Sequence, residues 1–272
     1  MRIEWIKRWL RWEEAELPRG LVARLVRRYL LWNNDWYGSH AIRYLPIARL
    51  LRLVPNDKSL HFLEVGSADR GIVPFLKRRV IAVDLAFDRE GLRRTGALLL
   101  PVRGKIERLP FPDASFDAVL AVDVFEHLPA FLRPKAVQEM VRVARRYVVI
   151  AVPCGKRAAE MERKLDQYHR RRFGISNRWL VEHQTNGLPD LAEVCQVLRV
   201  ASPQGTLSVI GNAPLPLWYA LEAFEIAVPR NYLRRILTGW LVSLASRWNA
   251  RNPYRRIFVL ELPRPALPAG GA

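Results

Sequence analysis

Residues 61–71 read HFLEVGSADRG and residues 80–84 read VIAVD. An apolar run broken by a glycine is followed, roughly twenty residues after Glu64, by a second apolar run that ends on an acid. That is the pattern of a strand, a tight turn, a helix and a second strand. Open α/β sheets hold a nucleoside with this arrangement, outside the carboxyl ends of their strands. Gly66 permits close backbone approach at the turn, and the Asp84 carboxylate can accept hydrogen bonds from two ribose hydroxyls. Taken alone, the same letters also describe an ordinary β-turn-α corner.

Residues 104–128, GKIERLPFPDASFDAVLAVDVFEHL, extend the pattern. Leu109-Pro110-Phe111 and the stretch 112–115 carry turn chemistry, and Phe116 to Val122 is an apolar run of strand length, so Asp123 falls at a strand's carboxyl end. Glu64, Asp84 and Asp123 then lie along one edge of a parallel sheet. Three carboxylates suit a ligand with hydroxyls, an ammonium and a sulfonium better than they suit a dinucleotide, whose pyrophosphate favours helix N-termini.

These blocks, in this order over roughly residues 60–153, resemble the class I S-adenosylmethionine-dependent methyltransferases of the small-molecule type (methyltransferase type 11-like), which carry LPF-x-D-x-S-F-D-x-V followed by EHL. The resemblance implies a Rossmann-like α/β fold: a mostly parallel seven-stranded sheet with helices on both faces, closed by an antiparallel hairpin. It also implies S-adenosylmethionine as cofactor. On the matching positions it implies contacts from Glu64, Gly66, Ser67, Ala68, Asp69 and Gly71 around the first turn, from Asp84 at the ribose, from the Ile106 backbone at the adenine, and from Asp123 at the methionine end. Two positions depart from the family pattern. Ala68 stands at the second glycine of the usual G-x-G-x-G, with an extra residue before Gly71, and Lys105 replaces the acid before the adenine contact. Alanine is admissible at that turn unless its φ is positive.

Methyl transfer from a sulfonium needs little acid–base help, and a base is required only where the acceptor is protonated at rest. His127, in FEHL beside the site, is the candidate catalytic residue as base or acceptor-orienting group, or else it pins a loop. His183, in WLVEHQTNGLP, is the second candidate, and Glu182 is not expected to share its face. The five histidines are scattered and the two cysteines, Cys154 and Cys195, are far apart, so no metal site is expected and a reducing compartment is the default.

With 272 residues, 50% of them apolar, the chain can bury a full core, which excludes disordered and fibrous classes. The opening MRIEWIKRWLRWEEAELPRG lacks an apolar h-region and a cleavage site, so no signal peptide is expected there, and no apolar stretch reaches the ~18 residues a spanning helix needs. The expected location is cytoplasmic, with peripheral contact to an anionic membrane as an option. Net charge is +18, from 44 Lys and Arg against 26 Asp and Glu. Such a field draws nucleic acid, anionic lipid or a phosphorylated carrier, or else reflects arginine-rich composition alone.

The chain divides into N-terminal amphipathic helices over 1–55, with Trp5–Trp12 and Leu21–Leu31 at helical spacing, a cofactor-binding domain over 56–262, and a disordered tail over 263–272. A helical insertion at about 213–250, with helices at 215–227 and 232–248, precedes the last strand. Within the domain, strands are expected at 60–65, 80–84, 97–102, 116–122, 147–152, 206–210 and 257–262, and helices at 72–78, 133–145, 157–172 and 191–198. The 157–172 helix reads as polar nearly all round.

The function expected is methyl transfer to a small-molecule, glycan or lipid-linked acceptor. Pro-Cys-Gly followed by WL-x-EH and GLP is similar to methyltransferases of cell-surface polysaccharide and glycolipid gene clusters. RNA methylation is the alternative prompted by charge, although Val122-Asp123-Val124-Phe125 stands where nucleic-acid amino-methyltransferases carry N-P-P-Y or D-P-P-Y. A non-catalytic protein of the same fold, binding a membrane or an assembly partner through its tryptophan-rich start, is the third reading.

Overall fold

The computed structural model describes residues 38–52, 61–68, 70–228, 242 and 250–263. The expected helices around Trp5–Trp12, Leu21–Leu31 and 232–248, and the tail after Pro263, lie outside the described residues. The apolar runs form one seven-stranded sheet: β1 (Phe62–Val65), β2 (Val80–Asp84), β3 (Leu99–Arg103), β4 (Phe116–Val122), β5 (Ala144–Pro153), β6 (Thr206–Pro214) and β7 (Pro253–Glu261), in the order β3-β2-β1-β4-β5-β7-β6. Neighbours from β3 to β5 pair in parallel, and β7 runs antiparallel to both β5 and β6. All four residues of β1 are buried, as expected of a central parallel strand covered on both faces. Strand order reverses between β1 and β4, which opens a crevice beyond their carboxyl ends.

The helices are α1 (Gly38–Arg52), α2 (Val73–Leu76), α3 (Arg89–Thr95), α4 (Arg133–Val143), α5 (Lys156–Phe173), α6 (Arg178–Asn186), α7 (Leu191–Ala201) and α8 (Leu215–Ala227). One core gathers Ile42, Ile47, Phe75, Leu165 and Trp218 from α1, α2, α5 and α8; the other gathers Val137, Met140, Val194 and Leu198 from α4 and α7. Boundaries follow local chemistry. Asp190 and Glu193 make a capping box that starts α7, and α5 stops at Gly174 in the left-handed conformation.

Several sequence expectations shift. Helix α1, with Pro46 inside it, falls within the 1–55 segment expected to be helical, beyond the two stretches at 5–12 and 21–31 whose spacing marks that segment. Helix α6 occupies a segment where no helix is expected from the sequence, with the Asn177 side chain accepting from the Trp179 amide at its start. Helix α4 stops at Val143, two residues short of expectation, because β5 already pairs from Ala144. Helix α5 is not polar all round: Ala158, Glu162, Leu165 and Asp166 are buried on one face.

The hairpin β6–β7 is tied to the centre of the sheet by a buried polar network. Arg255 on β7, only 2% exposed, donates from Nε and Nη2 to the two oxygens of Asp123, both at 2.5 Å. Arg43 on α1 approaches the same carboxylate at 3.2 Å. Arg255 also donates to Asn212 on β6, and Asn212 donates to the Ile42 carbonyl of α1. Removing one partner of a buried pair strands the other without its counter-charge. Arg255→Met is therefore expected to cost about 3–5 kcal/mol of unfolding free energy in urea titration. Arg255→Lys, which lacks the planar fork, should recover only part of that loss.

Candidate active site

The end of β1 makes the first wall. Gly66 has φ +73°, and a Cβ there would lie 2.3 Å from Val124 Cγ2, so only glycine fits between β1 and the segment after β4. Ala68 adopts φ +48°, the conformation that disfavours a side chain and that the family's glycine would relieve. Its amide donates to Asp84 Oδ2 at 2.8 Å, and the Leu85 amide donates to Oδ1 at 2.7 Å. Asp84 thus holds the turn in place while each oxygen keeps a lone pair for a ligand.

Glu64 lies beneath this turn, fully buried. Its Oε2 accepts from the Ile72 amide at 2.7 Å, Oε1 has no hydrogen-bond partner among the described residues, and a Cβ on Gly71 would sit 2.1 Å from Oε2. Burial pushes this carboxyl up to about 7, against the Ile72 amide and the Tyr44 phenol, which pull it down. Glu64 and Gly71 therefore support the turn from below, and neither forms part of the cleft wall. Asp69 lies outside the described residues.

The cleft itself measures about 1320 Å³ and brings Gly66, Ser67, Ala68, Asp84, Ile106, Asp123 and His127 onto one surface. At one end stand the 66–68 turn, Asp84 with the 70% exposed Leu85, and the Lys105–Glu107 turn. Helices α5, α6 and α8 close the other end, with Phe173, Trp179, Trp218 and Glu222 on its walls. His40 of α1, beside Gly71 O, is held neutral: burial foremost and then Arg43 lower it to about 3.

Two histidines scattered in the sequence meet at this second end. His127 closes the single 3₁₀ turn Phe125–His127, and its Nε2 lies 3.3 Å from His183 Nε2 on α6. His183 Nδ1 is 3.0 Å from Glu162 Oε1 on α5, and the Tyr254 hydroxyl donates to that oxygen at 2.6 Å. Glu182 Oε2 stands 3.2 Å from His127 Nδ1, so Glu182 serves the other ring rather than the neighbouring His183. Desolvation first, then His183, hold His127 below the ordinary histidine value, with Glu182 opposing.

Glu126 is fully buried, and neither of its oxygens has a hydrogen-bond partner outside its own residue among the described residues. Burial, reinforced by Asp123, pushes its carboxyl well above the usual range. Burial would raise Asp123 too, but Arg255 and Arg43 hold it below its usual value. Sequence reasoning missed Glu126, Glu162 and Tyr254. The signals were the FEHL neighbour of His127 and the spacing of Ala158, Glu162 and Leu165 along one face of α5.

Two changes probe the turn. Glycine at 68 escapes the left-handed penalty of about 1–2 kcal/mol but gains unfolded-chain entropy, so Ala68→Gly is expected to raise stability by roughly 0.5–1 kcal/mol in denaturant titration. For Glu64, the folded state binds the proton more tightly than the unfolded chain between 4.5 and about 7. The parent therefore loses stability as pH rises through that window, and Glu64→Gln does not. The stability difference should move in favour of the Gln variant by up to about 3 kcal/mol between pH 4.5 and 8. A pH-independent difference would show that Glu64 titrates normally.

A protein-family model described as a methyltransferase domain matches residues 63–152. No curated protein matches the chain. Among solved structures, the magnesium protoporphyrin IX methyltransferase of Synechocystis PCC 6803, with bound SAH, is similar at TM-score 0.54 and 12% identity over 96% of this chain and 95% of that one. A SAM-dependent methyltransferase from Thermotoga maritima is similar at TM-score 0.50 and 14% identity, over 88% of this chain and 99% of that one. Phosphoethanolamine N-methyltransferase 2 of Haemonchus contortus, in complex with S-adenosyl-L-methionine, is similar at TM-score 0.50 and 16% identity, over 91% of this chain and 62% of that one. At such identities the likeness is one of fold. The strand order and the glycine turn at the switch point agree with the matched segment: residues 63–152 match a methyltransferase domain, and the chain has the fold of the class I S-adenosylmethionine-dependent methyltransferases.

Proposed function

We propose that this enzyme methylates a hydroxyl of a glycan or lipid-linked acceptor, binding its cofactor against the 66–68 turn and the acceptor at the His127 end. The observation that carries this reading is the size of this continuous cleft. At about 1320 Å³ it exceeds the roughly 300–1,000 Å³ of ordinary one-ligand pockets, leaving room for two molecules end to end. When bound, S-adenosylmethionine supplies an electrophilic methyl group on a sulfonium. The residues present fit it: the missing Cβ of Gly66 leaves backbone exposed to the cleft, Asp84 keeps lone pairs for ribose hydroxyls, and Leu85 and Ile106 offer apolar surface for a base. Ser67 and Ala68 complete that wall.

At the acceptor end Phe173, Trp179, Trp218 and Tyr254 offer ring faces, and Glu182 and Glu222 offer acceptors for hydroxyls. His127, which lines this end, is the candidate to receive the acceptor's proton. Asp123, clamped by its arginines, fixes the floor between the two ends.

The cleft rim favours the lipid-linked form of the acceptor. Phe173, Ile175 and Trp179 are 52%, 67% and 50% exposed at the α5–α6 corner. Arg170, Arg171 and Arg172 fill the last turn of α5, and Arg178 lies over the Trp179 ring at 4.2 Å. Apolar side chains ringed by guanidinium groups suit an anionic lipid interface.

Calorimetry with S-adenosylhomocysteine tests the cofactor end. The parent should bind at roughly −7 to −8 kcal/mol, and Asp84→Ala should lose about 1.5–3 kcal/mol. Equal affinity in the variant would remove β2 from the cofactor site, and no binding by the parent would leave the non-catalytic reading. The rim is tested by sedimentation with phosphatidylglycerol and phosphatidylcholine vesicles. Binding to the anionic vesicles should fall at least tenfold in the doubly substituted Arg171→Glu, Ile175→Glu protein while its cofactor affinity holds. Equal binding to both vesicle types would refute a charge-selective rim.

A further inference from the structure

We infer that Glu126, His127 and His183 form a binding site for a first-row divalent cation at the acceptor end of the cleft. One ligand atom from each lies within 4.8 Å of the others. The two imidazoles face each other nitrogen to nitrogen, Nε2 to Nε2 at 3.3 Å, so at most one of those nitrogens can carry a proton if they only bond each other. The same spacing suits a shared ion: two nitrogens each ~2.1 Å from a metal and 3.3 Å apart subtend about 104° at it, close to tetrahedral.

The third donor is a carboxylate buried at 0% exposure whose oxygens have no outside partner among the described residues, a costly arrangement that a cation would relieve. The outer nitrogen of His183 is backed as in metal-bound histidines, while that of His127 has a carboxylate nearby but no hydrogen bond to it. Glu162 Oε1 holds His183 Nδ1 at 3.0 Å, with the Tyr254 hydroxyl steadying that carboxylate, and Glu182 Oε2 stands 3.2 Å from His127 Nδ1.

Two imidazoles and one carboxylate are the donor set of mononuclear sites that keep open positions, and they select zinc, iron, cobalt or manganese over calcium and magnesium. His127 lines the cleft, so an open position would face the acceptor. The ion would then polarise the acceptor's hydroxyl and make it more acidic, its proton passing to bulk water as the oxygen attacks the methyl group, with His127 acting through the metal rather than as the proton acceptor. This consequence rests on the proposed acceptor end, but the binding of the ion does not.

The test uses the full chain stripped with chelator and titrated with Co²⁺, followed by visible absorption, and with Zn²⁺ by calorimetry. One equivalent of each ion is expected, with cobalt ligand-field bands in the visible. Glu126→Gln, which keeps the side-chain shape, and His183→Ala should each weaken binding at least 100-fold. Glu162→Gln, a positioning change, should weaken it about 10- to 100-fold. Affinity for S-adenosylhomocysteine, measured on the same proteins, reports both folding and the cofactor end. Should His183→Ala fail to bind it, Glu126→Gln decides. Substoichiometric metal uptake by a parent that binds S-adenosylhomocysteine, or unchanged metal affinity in Glu126→Gln, would overturn the inference and leave a plain histidine–histidine hydrogen bond. Metal uptake without S-adenosylhomocysteine binding would instead overturn the cofactor reading.

Discussion

The Asp123 carboxylate, gripped by Arg255 and approached by Arg43, joins parts of the chain that are far apart in sequence: the end of β4, the last strand and helix α1. Burying three charges is expensive, and their mutual attraction offsets that cost only when the geometry is close to ideal. Here one anion faces two cations, the Arg255 contact is bidentate, and Asn212 takes up a further donor. The value of such a network lies in specificity more than in net stability. An apolar hairpin could slide along β5, whereas Arg255 fits against Asp123 in one register only, pairing Arg255 with Pro153 across β5 and with Asn212 across β6. That register sets Tyr254 beside Glu162 and stacks it on Trp218 at 3.6 Å, so the His127 end of the cleft inherits its shape from the ion pair.

The cofactor end depends on backbone strain held by short polar contacts. Ala68 and Asp123 both adopt positive φ, +48° and +53°. Each is held by a bond that a relaxed backbone would lose: the Ala68 amide to Asp84, and the Asp123 amide to the Ala151 carbonyl at 2.8 Å. Strain of this kind persists where the surroundings over-determine it, and it gathers at functional sites. Both strained residues stand at the switch point between β1 and β4, where the chain must leave the sheet sharply for a ligand to reach the strand ends.

The architecture was legible because its signals are local. Strands β2 and β4 coincide with the apolar runs that announce them, and helix α8 begins and ends where its apolar stretch does. The acid after β2, the glycine after β1 and the turn before β4 fall on one cleft for the same reason: each is fixed by its distance in sequence from a strand end. What failed to read locally was masked locally. The mixed pattern of RWLVEHQTN hides α6, and a helix rich in charge hides that Glu162 and Asp166 point inward.

The acceptor end could not be read in this way, because no segment contains it. Its parts come from the 3₁₀ turn after β4, from α5, α6 and α8, and from β7, brought together by long-range packing alone. The sequence carries Glu126-His127 and Glu182-His183 as two acid–histidine pairs, but Glu182 is not expected to share the face of His183. Helix geometry is the reason, since side chains one residue apart diverge. The fold pairs them across elements instead: Glu182 stands by His127, Glu162 holds His183, and Glu126 is left without a hydrogen-bond partner among the described residues, a ligand atom of it within 4.8 Å of both rings'. A buried acid with no donor, beside two rings that meet edge to edge, would be a defect in a purely structural core. At the closed end of a cleft that has room for a second molecule, it is where chemistry on that molecule would be placed.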